Sequence, residues 1–199
     1  THSALARIND IPFTSNKHTI AAIYIVRDPR NVVTSISNHF QMSFKDSIEF
    51  MINKKKFLLD NKNKNDFGNF TFINSWSEHY RSWLYNKQFD TLFVKYEDLQ
   101  DNTFNEFKRI IVFINKKLKR RDEKINDERL RNIIKSISFE KLKEKEEKEG
   151  FPESIKNENE KKINFFYLGK KNNWQKLLGK KQIHKLNETF KYDLKHLKY

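Results

Sequence analysis

IYIVRDPRNVVTSISNHF, residues 23–40, is the stretch on which the fold turns. A β-branched and aromatic run (Ile23, Tyr24, Ile25, Val26) ends in Arg27, and the chain then turns at once through Asp28-Pro29. Val32, Val33, Ile36 and Phe40 share one face of the segment that follows, which predicts strand, tight turn, helix. Asp28 suits the N-cap, and Pro29 suits the first helical position, where its missing N–H costs nothing. A helix N-terminus beyond the end of a buried strand is a ready anion site. Here it carries the guanidinium of Arg27 and, about two turns into the helix, the hydroxyl of Ser35. The same residues also suit an ordinary strand–helix unit with a surface arginine.

Working outward, residues 1–20 read as an irregular lead-in containing Pro12. A helix is expected over 44–57 and a polar loop over 60–69. Phe72, Ile73, Trp76, Tyr80, Trp83 and Leu84 recur at helical spacing, a stripe that reads as core. His79 lies off that stripe and is expected to be exposed or satisfied by a partner. Residues 91–95 (TLFVK) predict a second buried, parallel strand, closed by Tyr96-Glu97-Asp98-Leu99. A capping box, Thr103 with Glu106, should open the next helix, with Phe104, Phe107, Ile111 and Ile114 inward. A further helix is expected over 127–137, using Leu130, Ile133 and Ile134. The charged run 138–149, capped at Ser138 and stopped at Gly150, reads as a solvated helical face, and 150–164 as a loop. Ile183, Leu186, Phe190, Leu194 and Leu197 mark a closing amphipathic helix. Strands alternating with helices predict an α/β fold with a parallel sheet.

Composition bounds the chemistry. A chain of 199 residues fits one domain with a real core. It has no cysteine, which excludes disulfides, thiolate zinc sites and a cysteine nucleophile, and fits a reducing compartment. No apolar stretch approaches the roughly 20 residues that span a bilayer. The net charge of +14 attracts phosphates, sulfates, nucleic acid or anionic lipid. The lysines are scattered over almost every polar face, as heavy use of Lys, Asn, Ile and Phe would produce, so no specific nucleic-acid partner is expected.

The block at 23–40 resembles the 3′-phosphate-binding motif of sulfotransferases that use 3′-phosphoadenosine 5′-phosphosulfate (PAPS), in which a strand ends in Arg and a Ser follows eight residues later. The resemblance implies that Arg27 and Ser35 hold the nucleotide 3′-phosphate. Further matches follow in family order. Thr1-His2-Ser3-Ala4-Leu5 resembles the segment that carries the catalytic histidine, which makes His2 the implied base for the acceptor hydroxyl. The pattern Trp76-x-x-His79-Tyr80-x-x-Trp83 resembles the helix before the next strand. Tyr96, in Val-Lys-Tyr-Glu-Asp-Leu, matches the tyrosine at the adenine. Ser138-Phe139 resembles a Thr-Ser-Phe segment whose ring stacks on adenine, with Ile137 in place of the Thr; Phe139 is equally suited to the core. Gly169 and Trp174 keep the spacing of an Arg-Lys-Gly…Trp block. Tyr167 and Leu168 stand where Arg and Lys are expected, and Lys170 and Lys171 could supply the charge from the other side of the glycine.

The implied fold is the P-loop-NTPase-like sulfotransferase fold, a parallel central sheet flanked by helices. No segment has the composition of the family's N-terminal phosphosulfate loop. The expectation is therefore the C-terminal three-quarters of one domain over 1–199, N-terminally incomplete and a poor catalyst as given. The implied reaction moves a sulfonate from PAPS to a hydroxyl or amine acceptor and releases the 3′,5′-bisphosphate PAP. It uses no metal; the acceptor is expected to be a small molecule, a carbohydrate or a lipid, and the location cytoplasmic. The alternatives are a pseudoenzyme that binds PAP without transfer, a kinase-like relative with another phosphate donor, and a basic nucleic-acid-binding protein.

Overall fold

The computed structural model describes residues 2–59, 70–120, 123–152, 154–157 and 159–199. It opens with a small hairpin, β1 (Arg7–Ile8) and β2 (Ile11–Pro12), where an irregular lead-in was expected. Asn9 and Asp10 form its two-residue loop with φ of 48° and 63°, the left-handed pair that a tight hairpin requires and that Asn and Asp tolerate. Next come β3 (Ala21–Val26), α1 (Pro29–Phe40) and α2 (Phe44–Ile52). A second hairpin, β4 (Phe57–Leu59) with β5 (Phe70–Phe72), leads into α3 (Trp76–Leu84) and β6 (Asp90–Lys95). Then follow α4 (Tyr96–Asp101), α5 (Thr103–Lys117), α6 (Asp127–Ser136) and α7 (Phe139–Glu149). The chain closes with the hairpin β7 (Ile155–Lys156) and β8 (Lys162–Ile163), a 3₁₀ turn at Gly169–Lys171, α8 (Trp174–Leu177), α9 (Lys180–Thr189) and α10 (Lys191–Leu197).

β3 and β6 pair in parallel, in register from Ala21 opposite Asp90 to Val26 opposite Lys95. That register ends both strands level, so Arg27 and Tyr96 leave the sheet side by side. Val26 and Val94 are buried, whereas Ile23 and Ile25 alternate outward and are exposed. The main core joins Val33 of α1, Ile48 and Met51 of α2, and Leu178, Leu186, Phe190 and Leu194 of the C-terminal helices. The C-terminal helices therefore clamp the first helix after the strand.

A buried carboxylate adds a second clamp. Asp193, 3% exposed, accepts from Ser77 Oγ at 2.7 Å, Tyr80 Oη at 2.6 Å and the Arg81 guanidinium, tying α10 to α3. Burial, and then the hydrogen bond to Asp193, push the Tyr80 hydroxyl up to about 12, so the tyrosine remains a donor.

Several elements differ from the sequence reading. The helix expected over 44–57 stops at Ile52, and Phe57 pairs with Phe72 in β4–β5. Phe72 is therefore a strand residue, and α3 begins only at Trp76, where Ser75 Oγ accepts from the Glu78 amide. The loop expected over 60–69 lies outside the described residues. The capping box does not form: Thr103 Oγ1 donates back to the Leu99 carbonyl at 2.7 Å, and Glu106 pairs with Arg109. Ile114 is exposed, because α5 presents only part of its apolar face to β6 and its neighbours. The closing helix is two helices that break at Phe190, and the loop 150–164 holds the β7–β8 hairpin. Among the described residues no helix is long and apolar enough to cross a membrane.

Candidate functional site

The corner after β3 is built as the sequence indicates, with one difference that changes its chemistry. Asp28 caps α1, its Oδ1 accepting from the Arg30 amide at 2.9 Å, and Pro29 fills the first helical position. The Asn31 and Val32 amides both donate to the Asp28 carbonyl. The first-turn N–H groups are thus satisfied within the chain, and the helix N-terminus expected to receive an anion is closed. Any grip at this corner must come from side chains.

Two arginines stand here. Arg30 is committed: it binds the Asp28 carboxylate through Nε and Nη2, reaches Asn187 Oδ1 at 3.2 Å, and lies 4.2 Å over the Trp174 ring. Arg27 is not. Its guanidinium stacks 4.2 Å over the Tyr96 ring, and its Nε is buried without a hydrogen-bond partner among the described residues. An unpaired buried N–H is costly, and a phosphate oxygen would satisfy it. Glu97 braces the corner from below, accepting from the Asp28 amide at 3.2 Å and from Tyr199 Oη at 3.0 Å. Burial and the Glu97 charge raise the Tyr199 hydroxyl, which keeps its proton.

Ser35 is exposed, two turns along α1, and accepts from Asn172 Nδ2 at 3.3 Å. Asn172 also donates to the Asn31 carbonyl at 3.2 Å and receives the Thr34 hydroxyl at 2.7 Å, while the Trp174 amide donates to Asn31 Oδ1 at 3.1 Å. These bonds staple residues 172–174 onto α1, directly after the 3₁₀ turn Gly169–Lys171. Both lysines are exposed. Gly169 has φ +53°, and a Cβ there would come within 2.7 Å of the Phe139 ring, so Phe139 packs directly on the glycine. Ser138 caps α7, accepting from the Lys141 amide at 3.4 Å.

The charged run is not wholly solvated. Glu146 is 1% exposed; its carboxylate accepts from Ser154 Oγ and from the Phe165 and Phe166 amides at 2.7 and 2.9 Å. It thereby fixes the segment that leads into Gly169. Burial alone would raise its pKa, but these hydrogen bonds, with Lys162 nearby, hold it below the ordinary glutamate value of 4.5. A depressed native pKa gives stability that is complete above the unfolded value and lost as pH falls through the native one. Glu146→Gln should therefore cost about 1–2 kcal/mol at pH 7. In urea unfolding that deficit should shrink below about pH 4; a constant deficit down to pH 3 would contradict the assignment.

His2 stands at the start of the described residues, ahead of β1. Its side chain is exposed, and its carbonyl oxygen lies 3.0 Å from His79 Nε2. Trp83 Nε1 donates to the Ser3 carbonyl, the Ala4 amide to Phe72 and the Leu5 amide to Ser82 Oγ, so α3 and β5 hold residues 2–5. Among the described residues no hydrogen bond or ring contact joins His2 to Arg27, Ser35 or Tyr96. A cavity of about 440 Å³, lined by Phe13, Ile23, Tyr24, His79 and Trp83 among others, opens beside this segment.

Three comparisons with known proteins bear on this geometry. A family model described as a sulfotransferase domain matches residues 10–198. Sulfotransferase 2A2 of Rattus norvegicus is 30% identical over 123 residues, covering 61% of this chain and 38% of the relative. Sulfotransferase 2A1 of the same organism is 31% identical over 127 residues with the same coverages. Among solved structures, mouse sulfotransferase SULT7A1 complexed with PAP superposes with a TM-score of 0.53 at 19% identity, over 88% of this chain and 58% of that one. Retinol dehydratase, in complex with androsterone and inactive cofactor PAP, gives 0.56 at 21% identity, over 87% and 47%. The chain thus spans well under two thirds of the length of each.

Proposed function

The chain belongs to the sulfotransferase domain family, and from that premise we propose that it binds PAPS and transfers the sulfonate to the hydroxyl or amine of a small-molecule acceptor, releasing PAP. The observation that carries this reading is Arg27, whose buried Nε has no hydrogen-bond partner among the described residues, with Ser35 on α1 beyond a self-capped N-terminus. Arg27 and Ser35 hold the ribose 3′-phosphate, with Lys170 and Lys171 adding charge. Tyr96 and the Ser138-Phe139 segment form the adenine end, and Gly169 carries the turn that presents Lys170 and Lys171. In the transfer, the acceptor oxygen bonds to sulfur as the sulfur–phosphate oxygen bond breaks, and His2 takes the acceptor proton. The aromatic-lined cavity beside His79 supports a small-molecule acceptor.

The alternative is a relative that binds PAP without transfer.

A corner that reads the 3′-phosphate must distinguish PAP from adenosine 5′-monophosphate, which lacks that group. Calorimetry should give PAP at least about 100-fold tighter binding, the worth of two charge-assisted hydrogen bonds. Equal affinities would remove the 3′-phosphate assignment.

A further inference from the structure

The chemistry assigned above gives His79 no part beyond lining the cavity, yet both of its ring nitrogens are engaged. Nδ1 lies 2.7 Å from the Tyr24 hydroxyl, and Nε2 lies 3.0 Å from the His2 carbonyl oxygen. A carbonyl can only accept, so Nε2 carries the proton and Nδ1 accepts from Tyr24. This fixes one neutral tautomer. Burial lowers the His79 pKa and raises that of Tyr24, which keeps both groups in the required state.

The bridge joins two parts of the proposed site. Tyr24 lies on β3, three residues before Arg27, with its ring stacked at 5.0 Å on Phe93 of β6. Its position is set by the parallel sheet. At the other end is the backbone of the proposed base. Residues 2–5 have no regular secondary structure, and the other anchors described above act at Ser3, Ala4 and Leu5. Among the described residues, the hydrogen bond to His2 itself comes from His79.

We propose that His79 is a positioning residue: it references the His2 main chain to the strand that carries Arg27, and so sets the proposed base against the nucleotide corner. This rests on the sulfonate-transfer reading. A bridge of this kind should matter for turnover and not for nucleotide affinity, because misplacing a base by about 1 Å can cost on the order of 100-fold.

The two side-chain amides separate the two bonds. The amide of Gln reaches the position of Nε2 and can still donate to the His2 carbonyl. That of Asn reaches the position of Nδ1 and keeps only Tyr24 within range. Wild type, His79→Gln, His79→Asn and Tyr24→Phe are compared in the full chain by PAP calorimetry, by kcat and KM with PAPS and a simple phenol, and by amide hydrogen exchange at Ala4 and Leu5. His79→Asn should lower kcat about tenfold with PAP affinity and KM for PAPS unchanged, and speed exchange at Ala4 and Leu5 about tenfold. His79→Gln should restore both to within about threefold, and Tyr24→Phe should fall between. Asn and Gln variants that match wild type in kcat and exchange would overturn the proposal. So would a His79→Asn loss that appears equally in PAP affinity. If the wild type fails to bind PAP, the functional reading fails, and exchange still reports whether His79 holds the segment. If it binds PAP without transfer, unchanged exchange in His79→Asn overturns the anchoring role.

Discussion

Arg27→Ala weakens PAP binding by roughly 100- to 1,000-fold while leaving adenosine 5′-monophosphate affinity unchanged, if the β3–α1 corner holds the 3′-phosphate. The estimate follows from two lost charge-assisted hydrogen bonds, about 1.5–3 kcal/mol each, reduced by partial solvent exposure. The variant should fold normally. Arg27 makes no ion pair among the described residues, and its stacking on Tyr96 is worth only about 0.5–1 kcal/mol. Arg27→Lys keeps the charge but loses the planar fork, and should recover only part of the affinity. Arg30 cannot substitute, because Asp28, Asn187 and Trp174 already hold it. PAP affinity within threefold of wild type in Arg27→Ala would place the nucleotide elsewhere. Calorimetry of both variants with both nucleotides decides the matter.

The second large effect concerns the proposed base. His2→Ala should lower kcat by about 100-fold or more, the usual worth of a positioned general base. The dissociation constant for PAP should stay the same. The structure makes this substitution clean, since His79 binds the main-chain carbonyl of residue 2, which alanine retains. Loss of turnover therefore cannot be assigned to release of the segment. Unchanged kcat removes His2 from the mechanism. A wild-type protein that binds PAP and transfers nothing selects the non-catalytic alternative.

The local grammar of the chain was legible where short-range physics decides. Asp28 and Pro29 cap α1 as their chemistry demands, Ser138 caps α7, and the two parallel strands fall where β-branched and aromatic runs predict them. Local rules failed where a tertiary partner outbid them. Thr103 gave up its cap to bond Leu99, and Phe72 left a helical stripe to pair with Phe57. At the site, Arg27 and Tyr96 were legible as positions, but their stacking follows from the strand register, which no local pattern encodes.

The closed N-terminus of α1 was hidden in the same Asp28 that marked the cap, because the side chain and carbonyl that start a helix also satisfy its first amides. Asn31, Asn172 and Tyr199 act across the fold, and only the proximity of Asn172 to Gly169 and Trp174 hinted at its part. Glu146 did leave a trace. Phe139, Leu142 and Glu146 fall on one helical face, so the one buried acid in a charged run could have been picked out by spacing. His79 was expected to be exposed or satisfied by a partner; the second holds, and its partners could not be read from a helix wheel.

The most direct measurement of the central claim is the Nε–Hε resonance of Arg27, followed by ¹H–¹⁵N spectroscopy as PAP is added. A hydrogen bond to a phosphate oxygen should move that proton strongly downfield at saturation, with adenosine 5′-monophosphate leaving it in place. An Arg27 Nε signal that stays put while PAP saturates the protein would contradict the account.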